Sequence, residues 1–361
     1  MAIPSLPEIG RHFIVGLSGY ELLPEEREAL SSLQPTGIIL FAQNISDSPD
    51  WPSRLIDLIE QVRSITGQRK LIVSIDHEGG KVFRLPPPAT RFPAAASWAG
   101  RTEKVALSMG RELRALGINL SFAPVADIHS EPANPVIGVR AFGQTPQMVA
   151  DQAQLFLAAL SSTGVAGCAK HFPGHGDTRR DSHLELPVVE ADRNLLERRE
   201  LIPFKRLIAT DVRLIMTAHV KYTALDSDYP ATLSGKILRG LLREELGYKQ
   251  AIISDALEMK ALSGSSPESI CLSALHASVD FLLLGQIDGT PPSVLAKEIA
   301  LTIGRHLETD PTLREALNAS TARVRAFQEY VAQLEAHAPP GAVADLGCAA
   351  HQQLCQELLA I

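Results

Sequence analysis

Apolar residues along this chain gather into eight short runs. They are "HFIVGLSG" from His12, "GIILFAQN" from Gly37, "LIVSIDHEGG" from Leu71, "LSFAPVADI" from Leu120, "VAGCAKHFPG" from Val165, "RLIMTAHV" from Arg213, "AIISDALEM" from Ala251 and "FLLLGQ" from Phe281. Each has a continuous apolar core rich in branched residues and ends in glycine or polar residues. Continuous runs of that length suit strands buried on both faces, as in a parallel sheet; a half-exposed strand would alternate.

Between these runs the apolar spacing becomes helical. "SPDWPSRLIDLIEQVRSITG" offers Ser48 as N-cap, Pro49 near the first turn and Gly67 as the stop. "RTEKVALSMGRELRALG", "TPQMVADQAQLFLAALSSTG" and "NLLERRELIPFKRLIATD" follow the same period, and "LSGKILRGLLREELG" closes on Gly247. Eight strands alternating with helices predict an α/β protein, a single (β/α)8 TIM barrel with extra C-terminal helices. A doubly wound sheet is the rival, but it needs fewer units. "DPTLREALNASTARVRAFQEYVAQLEAH" reads as one or two of the extra helices. The division expected is a barrel over 1–335 and, over 336–361, a linker "APPGAVADLG" and a last helix packed on the barrel.

Composition narrows the class. The 361 residues are 45% hydrophobic and 21% charged, an ordinary soluble balance. A net charge of −7 with no lysine- or arginine-rich stripe argues against nucleic acid as a partner. No apolar run approaches the roughly 18 residues of a membrane span, so no membrane association is expected. "FIVGL" is too short for a signal-peptide core, and Cys168, Cys271, Cys348 and Cys355 lack any CxxC spacing. The expectation is a cytoplasmic protein with reduced thiols.

In a barrel, chemistry sits at the C-terminal ends of the strands. Those ends carry Asn44, Asp76, His77, Glu78, Asp127, Lys170, His171, His219 and Asp255. One buried polar residue usually just satisfies a hydrogen bond; so many at equivalent positions point to a site. The fifth end continues into "AKHFPGHGDTRRDSHLELPVV", with three histidines, two aspartates, a lysine and two arginines. A zinc reading would use His171, His175, Asp177 and His183. The spacing disfavours it, because no HxxxH or HExxH falls on a predicted helix. A proton-transfer reading pairs Asp181 with His183, which face the same way across one residue of extended chain. D-x-H alone is equally a solvated turn.

The wider pattern resembles glycoside hydrolase family 3, of the β-N-acetylhexosaminidase type that recycles cell-wall peptidoglycan. "KHFPGHGDTRRDSH" is similar to that family's signature, and "GIILFAQNI", "IDHEGGKVFRL", "VIGVRAFG", "IMTAHV" and "ISDALEM" resemble its other motifs in order. The resemblance implies Asp255 as catalytic nucleophile, His183 as acid/base and Asp181 as its partner. It implies Asp76, Arg84, Arg140, Lys170 and His171 as sugar contacts, with no metal and no cofactor. The implied activity is a retaining exo-β-N-acetylglucosaminidase. Its substrate would be carbohydrate, an N-acetylglucosaminyl-anhydromuramyl or related muropeptide. His175 and Asp177 receive no catalytic role, and Gly174 and Gly176 are candidate hinges for the loop. "SDAL" stands where some members read "SDDL", so Ala256 is expected to tune the site without abolishing it. Two alternatives stay open: a non-catalytic sugar-binding protein on the same barrel, which could lack Asp255 or His183, and a β-glucosidase-like member, which would carry a second domain.

Overall fold

The computed structural model describes residues 3–182, 184–287 and 289–360. All eight predicted runs form strands. In chain order the strands are β1 Phe13–Gly16, β2 Gly37–Leu40, β3 Ile72–Ile75, β4 Leu120–Ser121, β5 Ala166–Gly167, β6 Ala169–Phe172, β7 Val188–Val189, β8 Leu214–Thr217, β9 Lys221–Tyr222, β10 Ala251–Ile253 and β11 Leu282–Leu284. One set pairs in the order β11-β1-β2-β3-β4-β5 and another in the order β10-β8-β6, always parallel. Parallel bridges Val125↔Lys170 and Ile253↔Phe281 join the two sets and close the barrel. The fifth barrel strand is therefore β5 and β6 together, interrupted at Cys168. A short pair outside the barrel, β7 with β9, had no counterpart in the sequence pattern.

Alternate residues of each strand point into the barrel or out toward the helices. Ile14, Ile39, Ile72, Leu120, Cys168, Met216, Ile253 and Leu283 fill the interior. Phe13, Val15, Ile38, Leu40 and Val73 pack outward under the helices. Both faces are dry, which is why the runs show no alternation in sequence.

The helix Trp51–Thr66 starts later than expected. Asp50, not Ser48, occupies the N-cap position, and Pro52 lies in the first turn. Ser48 instead bonds the Asp50 carboxylate, while Gly67 ends the helix at φ +65° as expected. "NLLERRELIPFKRLIATD" is two helices, Arg193–Arg198 and Leu201–Ala209. The break falls at Arg199 and Glu200, whose side chains turn toward the loop that follows β6.

A single helix, Pro311–His337, closes the N-terminal end of the barrel. Its Val324, Phe327 and Val331 join the interior core, and Phe327 meets Phe281 edge-on at 5.8 Å. Asp280, just before β11, ties this floor to the wall. Its carboxylate accepts bonds from Arg323 Nε (2.9 Å), Arg243 (2.7 Å) and the Ile252 N–H (2.8 Å). The last helix, Ala349–Leu359, lies against Thr102–Ala115, where Glu112 receives His351 Nδ1 at 2.8 Å. No helix among the described residues is long and apolar enough to cross a membrane.

Asp280 is fully buried beside two arginines, so truncating it strands two cations. Asp280→Ala is expected to cost about 3–5 kcal/mol, the scale of breaking a buried ion pair. Denaturant unfolding should show a shifted midpoint; a midpoint within experimental error of the parent would contradict this.

Candidate active site

The chain leaves β3 through "DHEGG". Gly79 and Gly80 adopt φ +84° and +58°, and a Cβ on either would strike the Phe92–Ala94 backbone region or Trp98. This tight turn lets the following segment come back over the barrel mouth, so that Asp76 and Arg84 line the same cleft. Asp255, two residues beyond the end of β10, lines it as well. The cleft measures about 370 Å³, with Phe41, Met216 and Glu258 among its walls. Arg84 Nε is buried there with no partner among the described residues.

Behind the cleft lies a buried ion network. Lys170 Nζ sits 2.8 Å from Asp76 and 2.6 Å from Glu78. Arg140 grips Glu78 through Nε and a terminal nitrogen, both at 2.8 Å. Burial alone would push the Glu78 carboxyl up; Arg140 and Lys170 overcome it and hold the group far below the ordinary carboxylate range. Glu78 is thus a locked anion, a poor proton donor. Sequence reasoning placed it at a strand end without finding this task. The available signal was its adjacency to Asp76 and the two cations assigned to sugar contacts.

His171 belongs to a second hub. Asp127, fully buried, accepts His171 Nδ1 at 2.7 Å and the His171 and His175 backbone N–H groups at 3.1 and 2.7 Å. Burial opposes the Asp127 charge, but His171 and His175 outweigh it and lower its pKa. His175 bonds Thr178 through Nδ1 (3.0 Å) and Ser182 through Nε2 (3.1 Å), and Asp177 pairs with Arg199 at 2.6 Å. The described members of the zinc reading, His171, His175 and Asp177, each bond at least one protein partner. No group of three or more His, Cys, Asp or Glu side chains suited to a metal ion occurs among the described residues.

Asp255 is only partly exposed. Burial would raise its pKa; His219 and His171, the Ala256 N–H and Lys170 reverse this and keep it below the ordinary value. Its Oδ1 accepts the Ala256 N–H at 2.8 Å. His219 is fixed between Thr232 (2.7 Å) and the Ala256 carbonyl (2.9 Å). Asp181 lies on the loop after β6, its carbonyl accepting Leu184 and Glu185 N–H groups. His183 lies outside the described residues.

Gly174 and Gly176, the candidate hinges, sit pressed against neighbouring backbone and side chains. A Cβ on Gly176 would fall 1.6 Å from the Ile128 carbonyl oxygen, and one on Gly174 2.8 Å from Glu200 Cβ. These glycines permit close backbone packing at the root of the loop. Asn134 reinforces it by donating to the His175 and Gly176 carbonyls, and Tyr222 donates to that of Gly174.

The profile described as "Glycosyl hydrolase family 3 N terminal domain" matches residues 14–324. The chain belongs to glycosyl hydrolase family 3. It is 35% identical over 367 residues to "Beta-hexosaminidase A" of Pseudoalteromonas piscicida, covering 93% of this chain but only 60% of that protein. It is 38% identical over 294 residues to "Beta-hexosaminidase" of Alkalilimnicola ehrlichii, covering 78% of this chain and 82% of the other. A solved family 3 beta-N-acetylglucosaminidase from Paenibacillus sp. str. FPU-7 superposes with TM-score 0.87 at 34% identity, over 99% of this chain and 68% of that one. Family 3 membership and the barrel expected from the eight runs therefore agree.

The tight root yields a test. Gly176→Ala should lower the melting temperature, because overpacking of this kind costs about 1–3 kcal/mol or more. A variant that melts like the parent yet turns over slowly would restore the hinge reading.

Proposed function

We propose that this family 3 chain is a retaining exo-β-N-acetylglucosaminidase acting on terminal β-linked N-acetylglucosamine. One observation carries the reading: Asp76, Arg84 and Asp255 meet in a single cleft at the C-terminal mouth of the barrel, with Asp255 held ionised. An ionised carboxylate at such a site suits a nucleophile. The similar proteins, named as beta-hexosaminidases and a beta-N-acetylglucosaminidase, support the sugar specificity.

In this scheme Asp255 Oδ2, the oxygen not engaged by Ala256, attacks the anomeric carbon. The glycosidic C–O bond breaks, and the leaving oxygen takes a proton from His183, whose imidazole Asp181 orients. Water then attacks the glycosyl-aspartate, returns a proton to His183 and frees Asp255. Asp76 accepts bonds from sugar hydroxyls while Lys170 fixes one of its oxygens, and Arg84 donates. Arg140, Lys170 and His171 shape the ring's surroundings through Glu78 and Asp127. The natural substrate proposed is a muropeptide with an N-acetylglucosaminyl-anhydromuramyl unit, processed in the cytoplasm without metal or cofactor. The unpaired thiols of all four cysteines suit that compartment.

The test combines specificity with stereochemistry. A chromogenic N-acetyl-β-glucosaminide should be turned over much faster than the matching β-glucoside, and NMR should find the β-anomer as the first sugar product. Preference for the glucoside would favour the β-glucosidase-like alternative; no turnover of either would favour a binding protein. Initial α-anomer would rule out double displacement.

A further inference from the structure

Glu200 lies at the root of the loop after β6. Its side chain is fully buried, and the residue stands at the break between the helices Arg193–Arg198 and Leu201–Ala209. Oε1 accepts bonds from Ser130 Oγ at 3.0 Å and Arg199 Nε at 2.5 Å. Oε2 is buried with no partner among the described residues. That oxygen would lie 3.1 Å from a Cβ on Gly174, so the carboxyl rests directly on the loop root. Arg199 reaches the other way to Asp177 of the same loop, at 2.6 Å. One guanidinium and one packing contact therefore connect Glu200 to the segment that carries Asp181.

We propose that Glu200 is a positioning residue for this loop: the charge on its carboxyl sets how Arg199 and Gly174 hold the root, and through them how Asp181 stands at the cleft. The inference rests on the reading of Asp181 as partner of the acid/base.

The charged and titratable groups facing Glu200 are Arg199, Asp177 across that guanidinium, Asp127 from the end of the fourth barrel strand and the Tyr222 phenol of β9. Burial dominates and pushes the carboxyl up to about 7; Arg199 and Ser130 pull it down, and Asp127 adds to the rise. Around neutral pH, then, Arg199 is either shared between two carboxylates or left to Asp177 alone. The sign for stability follows from linkage. The folded value lies above the ordinary 4.5, so the folded state binds this proton more tightly. Its stabilising effect is whole below the ordinary value and is lost as pH rises to about 7.

Glu200→Gln keeps the shape and the acceptor for Ser130 and Arg199 but removes the titration. Glu200→Ala removes the support under Gly174. Both would be compared with wild type and with His183→Ala on an aryl N-acetyl-β-glucosaminide and on a disaccharide with a sugar leaving group. The ratio of wild-type to Glu200→Gln kcat/KM should step several-fold around pH 7 and be flat on either side. Glu200→Ala should slow the sugar leaving group about tenfold more than the aryl one, a milder form of the His183→Ala pattern. In melting experiments the advantage of Glu200→Gln over wild type should grow between about pH 5 and pH 8. A constant rate ratio across pH, or equal slowing of both substrates by Glu200→Ala, would overturn the proposal. If Glu200→Ala does not fold, the rate ratio and the melting comparison decide it. Wild type inactive on both substrates would fell the functional reading, and the positioning role with it. Active wild type with superposed profiles would fell the inference alone.

Discussion

The site depends on one buried charge balance. Lys170, whose side chain is only 3% exposed, places an ammonium between Asp76 and Glu78, and Arg140 clamps Glu78 from the other side. A cation so desolvated is tolerable only with counter-charges in contact. Two cations and two anions meet that demand, and they come from three places in the chain: the end of β3, the loop after β4 and the strand β6. The barrel brings those places together, and the network fixes Asp76 at the edge of the cleft while Arg84 keeps a donor without a partner among the described residues. The same Lys170 helps to hold Asp255 ionised despite its burial. Asp76 and the proposed nucleophile Asp255 thus share one electrostatic frame.

A second constraint acts on the loop after β6. Asp127 and Asn134 from the loop after β4, Tyr222 from β9 and Glu200 from the break between two helices hold its root, and Gly174 and Gly176 are small because backbone and side chains press against them. Rigidity at the root and chemistry further along are compatible. A proton donor must be placed within hydrogen-bonding reach of the leaving oxygen, and a firm base shortens the search.

The barrel was legible because its strands are buried on both faces: Ile14 and Phe13 are both apolar although they point opposite ways. What escaped was long-range and polar. The break at Cys168, the β7–β9 pair and the Asp280 tie to Arg243 and Arg323 depend on partners far apart in sequence, and no local period announces them. Ser48 looked like a cap because serine favours that position, yet Asp50 lies nearer the first turn and took it. Of the residues implied by family resemblance, Asp76, Lys170, His171 and Asp255 lie on or just past strands, Arg84, Arg140 and Asp181 lie on the loops that follow, and Asp76, Arg84 and Asp255 share a cleft. Glu78 and Glu200 were not assigned tasks, since a glutamate's burial and partners cannot be read from its neighbours. The close packing of Gly174 and Gly176 was hidden for the same reason: flexibility and close approach use the same residue.

The central claim is that Asp255 becomes covalently attached to the sugar. A slow mechanism-based inactivator, an N-acetylglucosaminyl fluoride made sluggish by a 5-fluoro substituent, would trap that state for mass spectrometry and peptide mapping. The account predicts one sugar per chain, on the peptide holding Asp255, with no adduct in Asp255→Ala. Label on Glu258 or Asp181 instead, or turnover with inversion and no adduct at all, would contradict it.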